Sequence, residues 1–168
     1  TVVSFYLLPE VNIMMRPRLL AQLKPGTRLV SHDYDLGEWE PDRSMVIPAP
    51  DKPVGRDKVS KVFYWVVPAR VEGRWQSRIA LGTPGRSHEI ALVQRFQVIE
   101  GTASADGRST KLEEAKLSGD LVSFAFQVEG ESGMQRVEVR GRVAGDSIEG
   151  QARVPGSGSP TFVKWSAR

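Results

Sequence analysis

The sequence predicts an α+β chain in which a short strand–helix–strand unit is followed by an antiparallel β-meander that curls into a partly open barrel. Three observations predict it. Two apolar runs near the start flank a segment with helical spacing of apolar residues. A stretch holding Pro41, Pro48, Pro50, Pro53 and Gly55 then interrupts all periodicity. From Lys61 onward, extended runs alternate with turn signals, and helical spacing returns only over Leu112 to Leu117.

Val2 to Leu8 is nearly all apolar, as expected of a central parallel strand covered on both faces, and Pro9 ends it. Between Glu10 and Leu23, the residues Val11, Met14, Met15, Leu19, Leu20 and Leu23 recur at helical spacing. Pro17 cannot donate its amide inside a continuous helix. The spacing therefore predicts a turn of helix around Val11 to Met15 and a second helix opening at Pro17, where the missing amide costs nothing. Lys24-Pro25-Gly26 stops it, and Thr27 to Ser31 forms the second strand of a βαβ unit. The predicted layout is residues 1–42 for this unit, 43–57 for a Pro-rich connection over the surface, and 58–168 for the β domain.

Within the β domain the runs are Val62 to Arg70, Trp75 to Leu81, Ile90 to Gly101, Leu121 to Val128, Met134 to Val143, Ser147 to Val154 and Thr161 to Ala167. Val71-Glu72-Gly73-Arg74, Ala105-Asp106-Gly107-Arg108, Gly119-Asp120 and Gly145-Asp146 have hairpin chemistry. An internal echo, Lys116-Leu117-Ser118-Gly119-Asp120 against Arg142-Val143-Ala144-Gly145-Asp146, predicts two similar hairpins. Phe63, Trp65, Trp75, Phe96, Phe124, Phe126 and Trp165 are expected inside the barrel, as packing rather than as the lining of a ligand cavity.

Composition excludes several chemistries. The 168 residues include no cysteine, which removes thiol nucleophiles, thiolate zinc sites and iron–sulfur clusters. Lysine and arginine number 23 against 20 aspartate and glutamate; residues 58–168 are mildly basic but carry no basic run, so nothing marks a polyanion partner. Basic and aromatic residues interleave at Arg74-Trp75, Arg95-Phe96 and Lys164-Trp165, yet strand alternation sets the charge outside and the ring inside. No apolar stretch reaches the ~20 residues of a membrane-spanning helix. A soluble protein is expected, in the cytoplasm by preference with export left open. The chain begins inside an apolar run with no initiator Met, and burial at Thr1 predicts the later portion of a longer protein, or else a terminal strand lying in a sheet.

Chemistry is expected where the two strands of the first unit end, since open α/β sheets bind ligands at their carboxyl edge. There Ser31-His32-Asp33-Tyr34-Asp35 places a histidine beside two carboxylates. His32 as a general base needs a carboxylate to set its tautomer, and Asp33 or Asp35 qualifies. Against this, neighbours in an extended strand point to opposite faces, which favours a polar residue satisfied at a strand end. No metal site is expected, because His32, Asp33 and Asp35 are too close along one strand end. The sequence has no G-x-S-x-G elbow, no P-loop and no G-x-G-x-x-G, and Gly156-Ser157-Gly158-Ser159 reads as a flexible turn.

The string Thr1-Val2-Val3-Ser4-Phe5-Tyr6-Leu7-Leu8-Pro9-Glu10-Val11-Asn12, with Arg16-Pro17-Arg18-Leu19-Leu20, Leu23-Lys24-Pro25-Gly26-Thr27-Arg28-Leu29-Val30-Ser31-His32-Asp33-Tyr34-Asp35 and Gly37-Glu38-Trp39, resembles the fourth and fifth strands of a class I S-adenosylmethionine-dependent methyltransferase. It is similar to a bacterial group of methyltransferase-like proteins and, more distantly, to non-SET lysine methyltransferases. The likeness covers about a quarter of the chain and makes the first unit a remnant of a Rossmann-like sheet. It implies that Tyr6, Leu7, Leu8, Pro9 and Asn12 lie beside S-adenosylmethionine and the incoming acceptor, positioning and desolvating them. It also implies that Glu10, His32 or Asp33 takes the proton of an acceptor such as a protein lysine; nothing in the spacing chooses among the three.

The glycine-rich loop, the ribose-binding acid and the adenine contacts of that family are absent from this sequence. The chain alone is therefore expected to be inactive, and the all-β domain to select an acceptor or partner. The unpartnered first strands are expected to promote self-association. The rival expectation is a non-enzymatic, lipocalin-like barrel that binds a small apolar ligand or a protein.

Overall fold

Parallel pairing of two strands needs a crossover, and the first 32 residues supply one. In the computed structural model, which describes residues 1–53, 57–79, 87–130, 133–155 and 159–168, β1 (Val2–Phe5) pairs in parallel with β2 (Arg28–His32) across α1 (Pro9–Gln22). Ala80, Leu81, Gly85, Arg86, Gly55 and Gly156 to Gly158, which the sequence placed in a strand end and in loops, lie outside the described residues. The chain divides into two units, Thr1–Pro68 and Ala69–Arg168. No helix among the described residues is long and apolar enough to cross a membrane.

Helix α1 corrects one expectation. It is a single helix of 14 residues that opens at Pro9 and contains Pro17, rather than two pieces divided there. An interior proline costs about 3 kcal/mol through its lost hydrogen bond and ring clash. Tertiary anchoring offsets that cost, since Asn12 and Leu19 are buried and Arg16 donates to the Leu36 carbonyl at 2.9 Å. The Leu23 amide bonds the Leu19 carbonyl, and the helix stops before Lys24-Pro25.

The first unit is larger than the sequence implied. Residues expected to wander as a connection hold β3 (Arg43–Pro48), and β4 (Val59–Val66), expected in the β domain, pairs antiparallel with both β2 and β3. The sheet order is β1-β2-β4-β3, so the division falls at Pro68 instead of at 42 and 58. Pro48 fits because it sits at the end of an edge strand, where a missing amide breaks no ladder. Strand β1 is likewise at an edge, with Val2 about half exposed, and not the buried central strand its composition predicts. The core of this unit is Leu29, Leu36, Trp39, Trp65 and Val67. Trp65 donates its indole N–H to the Trp39 carbonyl at 2.8 Å, and the two rings lie 6.2 Å apart. Phe63 and Trp65 therefore serve this sheet, not a barrel interior.

The second unit is one antiparallel sheet of nine strands: β5 (Gly73–Ile79), β6 (Ser87–Arg95), β7 (Val98–Ala105), β8 (Arg108–Lys111), β9 (Glu113–Ser118), β10 (Leu121–Gly130), β11 (Gly133–Ala144), β12 (Ser147–Val154) and β13 (Thr161–Ala167). Successive strands pair except at β8–β9, and β13 returns to β5. Only Leu112 separates the two edge strands in sequence, so the barrel is nearly closed. Side chains span the seam: Thr110 donates to the Gln127 carbonyl at 3.2 Å, and Arg108 pairs with Glu129.

The predicted turns at Ala105–Arg108, Gly119-Asp120 and Gly145-Asp146 form, with Asp106, Gly107, Gly119 and Gly145 at positive φ. The two echoing segments are matching hairpins, β9–β10 and β11–β12. Val71 to Arg74 is not a hairpin; it leads into β5. The segment expected as helix, Leu112 to Leu117, is instead Leu112 followed by strand β9 from Glu113 on. A register shift opposite Ser123 and Ala125, with Glu114 at φ 51°, inserts a bulge that breaks the period of two.

Trp75, Phe124, Phe126 and Trp165 are buried core of this unit as expected, whereas Phe96 occupies the β6–β7 hairpin turn at φ 55°. Gly141 and Gly150 face each other across β11 and β12. A Cβ on Gly141 would lie 2.7 Å from Ile148 and 3.2 Å from the Trp165 ring, and one on Gly150 would strike the Arg140 carbonyl oxygen. The bare Gly141 leaves room for the Trp165 indole, and the bare Gly150 for the backbone of β11. Gly150→Ala is expected to lower stability by about 1–3 kcal/mol, the usual range for overpacking. A urea midpoint moved down with an unchanged slope would show it.

Candidate functional site

Because β1 and β2 run parallel, their carboxyl ends meet at one edge and bring together the side chains that follow them. Tyr6, just past β1, lies 4.5 Å from the His32 ring centroid at a 59° tilt and 6.4 Å from Tyr34 in a nearly parallel stack. Tyr6 is 61% exposed and Tyr34 36%. Tyr6, between the imidazole and the Tyr34 ring, makes an exposed aromatic cluster that offers π faces and an imidazole nitrogen to a group from solvent. Tyr34 was not singled out in the sequence; its only signal was a tyrosine between two aspartates at a strand end.

The turn at Asp33 makes this cluster. Asp33 has φ 64°, its amide donates to the Lys61 carbonyl at 2.7 Å, and the Tyr34 amide donates to the His32 carbonyl at 2.9 Å. Left-handed backbone at Asp33 abolishes the opposite-face geometry of an extended pair, so the His32 imidazole comes within 3.8 Å of the Asp33 carboxylate. That carboxylate is already engaged, by the Lys52 ammonium at 2.6 Å and the Lys61 amide at 3.0 Å. The Lys52 hydrogen bond, aided by the Lys61 amide and the His32 charge, holds Asp33 below the usual carboxylate range against the opposing effect of burial. A carboxylate so held is a poor proton acceptor, and Asp33 reads as the anchor of the turn.

Asn12, expected beside the methyl donor and acceptor, is an interior residue of the first unit. It is fully buried. Its amide donates to the Tyr34 and Asp35 carbonyls at 3.2 Å each and to the Ser31 hydroxyl at 3.4 Å, tying α1 to the loop that carries Tyr34. Its carbonyl oxygen has no hydrogen-bond partner among the described residues. Asp35 accepts from the Gly37 amide at 3.0 Å, and a Cβ on Gly37 would lie 2.6 Å from Ile13, so the loop lies close on the helix.

The remaining predicted residues divide. Leu8 is 63% exposed and Leu7 half-buried, together with Tyr6 forming an apolar lip at the strand end. Pro9 and Glu10 open α1, where the exposed Glu10 carboxylate complements the positive helix terminus. No hydrogen bond or ion pair joins Glu10 to His32 or Asp33 among the described residues. In the second unit a hollow of about 630 Å³ opens at the barrel seam, lined by His88, Phe126, Thr110, Arg108, Glu129 and Met134 among others. His88 is buried there and meets Phe126 edge-on at 5.7 Å.

No family model matches the chain. A protein-lysine N-methyltransferase of Saccharolobus islandicus (strain REY15A) is 51% identical to it over 41 residues, 24% of this chain and 26% of that protein. The crystal structure of an RNA methyltransferase from Salinibacter ruber in complex with S-adenosyl-L-homocysteine is 44% identical, with a TM-score of 0.33, over 42% of this chain and 40% of that one. The chain thus spans about a quarter of the curated relative's length, and over these parts it is similar to methyltransferases.

Because Asp33 titrates lower in the folded chain, its link to Lys52 stabilises the fold above the ordinary value of 3.8 and is lost as pH falls through the lowered one. Asp33→Asn tolerates the left-handed turn and removes the charge. Its melting temperature is expected below that of the wild type at pH 7, with the gap closing as melts are repeated from pH 4 down to pH 2.5.

Proposed function

We propose that the chain supplies the acceptor-side edge of an S-adenosylmethionine-dependent methyltransferase of class I, with an amine, in particular a protein lysine side chain, as acceptor. The observation that carries the reading is the Tyr6–His32–Tyr34 cluster at the carboxyl ends of two parallel strands. Support comes from the 51% identity to a protein-lysine N-methyltransferase over 41 residues.

Aromatic faces attract an ammonium, and the His32 imidazole, 39% exposed beside Tyr6, is a nitrogen base able to accept its proton. His32 is therefore assigned the proton transfer, Tyr6 and Tyr34 the orientation of the acceptor, and Leu7 and Leu8 the exclusion of water. Asn12 and Asp33 are positioning residues that act through Tyr34 and His32. S-adenosylmethionine, when bound, supplies a methyl group on a sulfonium whose departure needs no acid.

The residues here fit one wall of such a site and no more. No glycine-rich loop and no ribose-binding acid stands in the sequence.

Incubation of the gene-encoded polypeptide with methyl-labelled S-adenosylmethionine and protein or RNA acceptors tests the reading. Label is expected in protein lysine, with His32→Ala lowering the rate about 100-fold, in the usual range for a lost general base. Glu10→Gln is expected to leave the rate nearly unchanged. Absence of donor binding and of transfer overturns the assignment, while label entering RNA alone overturns the acceptor.

A further inference from the structure

Strand alternation sends the charged side chains of the second unit outward, and on β11, β12 and β13 the register arranges them in rows. Glu138, Arg153 and Phe162 form one row, Arg140, Gln151 and Lys164 the next, and Arg142, Glu149 and Ser166 a third, which Arg78 of β5 extends. Neighbouring strands lie about 4.8 Å apart, so each row is a short transverse line of side chains.

The charges on this face do not cancel. Arg136 pairs with Glu113, Glu114 and Glu138, Arg153 with Glu138, and Arg142 with Asp120. Arg140, Lys164 and Arg78 have no ion pair among the described residues, and Glu149 is the one carboxylate of the three rows left in that condition. The Arg153 hydrogen bond, with the Arg136 charge, holds Glu138 below its ordinary range, so its negative charge is matched rather than free.

Phe162 breaks the pattern that hides rings and shows charges. Its ring is 64% exposed on the outer face, while Trp165 on the same strand is buried. The ring borders a hollow of about 340 Å³ whose other walls are Arg140, Gln151, Arg153 and Glu138. An exposed ring beside guanidinium groups, an amide able to donate and accept, and unpaired cations spaced along the sheet match two needs of one ligand. A base needs a flat surface for stacking, and the phosphates on either side of it need positive charge.

We propose that the outer face of β11–β12–β13 binds single-stranded nucleic acid, with one base stacked on Phe162 in the hollow and the flanking phosphates held by Arg140, Lys164 and Arg78. A duplex does not fit this chemistry, because its bases are already stacked on each other. The proposal is independent of the methyltransferase reading, since it concerns other residues in the other unit.

Fluorescence anisotropy of the full chain with a labelled ten-nucleotide RNA, the same sequence as a duplex, and a poly-glutamate peptide tests it. The single strand is expected to bind and the other two to bind at least tenfold more weakly. The slope of log affinity against log salt is expected near −2, as for about three phosphate contacts on a single strand. Phe162→Ala is expected to weaken binding about tenfold with little change in that slope. Arg140→Gln with Lys164→Gln is expected to flatten the slope by more than one unit. All three positions are exposed, and unchanged circular dichroism checks that folding survives. Binding of duplex or peptide as tight as that of the single strand overturns the proposal. So does an affinity that Phe162→Ala and the double substitution leave unchanged.

Discussion

A fully buried amide on a helix organises the first unit. Asn12 reaches from α1 to the carbonyls of Tyr34 and Asp35 and to the hydroxyl of Ser31, and it thereby fixes where the chain goes after β2. Its carbonyl oxygen has no partner among the described residues, a burial cost of roughly 1–3 kcal/mol that the contacts of its amide have to exceed. A second hold of the helix on this loop comes from Arg16, which donates to the Leu36 carbonyl, and from Ile13 packed at Gly37. The aromatic cluster at the strand ends is thus presented by interior polar contacts, not by packing of the rings themselves.

Asp33 completes the arrangement from the other side. Its left-handed backbone turns the chain out of β2, and its carboxylate binds Lys52 and the Lys61 amide, which belong to segments beyond β3 and within β4. Two residues adjacent in sequence therefore divide two tasks: Asp33 holds the turn, and His32 keeps its imidazole half exposed beside Tyr6. A carboxylate committed to an ammonium has little basicity to spare, while the histidine remains available to a solvent group.

The second unit rests on a different constraint, the alternation of side chains on strands joined by short hairpins. Where the alternation is unbroken, as in β11 and β12, inward valines and outward charges follow directly from the sequence. Where a residue is inserted, as at Glu114, the period of two fails locally and the pattern takes on a helical look. Gly141 and Gly150 look unremarkable as letters, but the missing side chain of Gly141 leaves room for the Trp165 indole and that of Gly150 lets β11 and β12 approach. Phe162 shows the reverse, a ring that composition assigns to a core and register places on the outside.

The sequence by itself determined the strand–helix–strand order at the start, the β-rich remainder, the glycine turns and the histidine at a strand end. Each of these is set by local chemistry: apolar periodicity, the dihedral freedom of glycine, and the breakers at Pro9 and Lys24-Pro25-Gly26. The tertiary structure alone decided that Pro17 stays within a helix, that β3 and β4 belong to the first sheet, that Asn12 is interior, and that Asp33 is held by Lys52. All four depend on partners 10 or more residues away in sequence, and local periodicity carries no information about which distant group a backbone amide or a carboxylate will find.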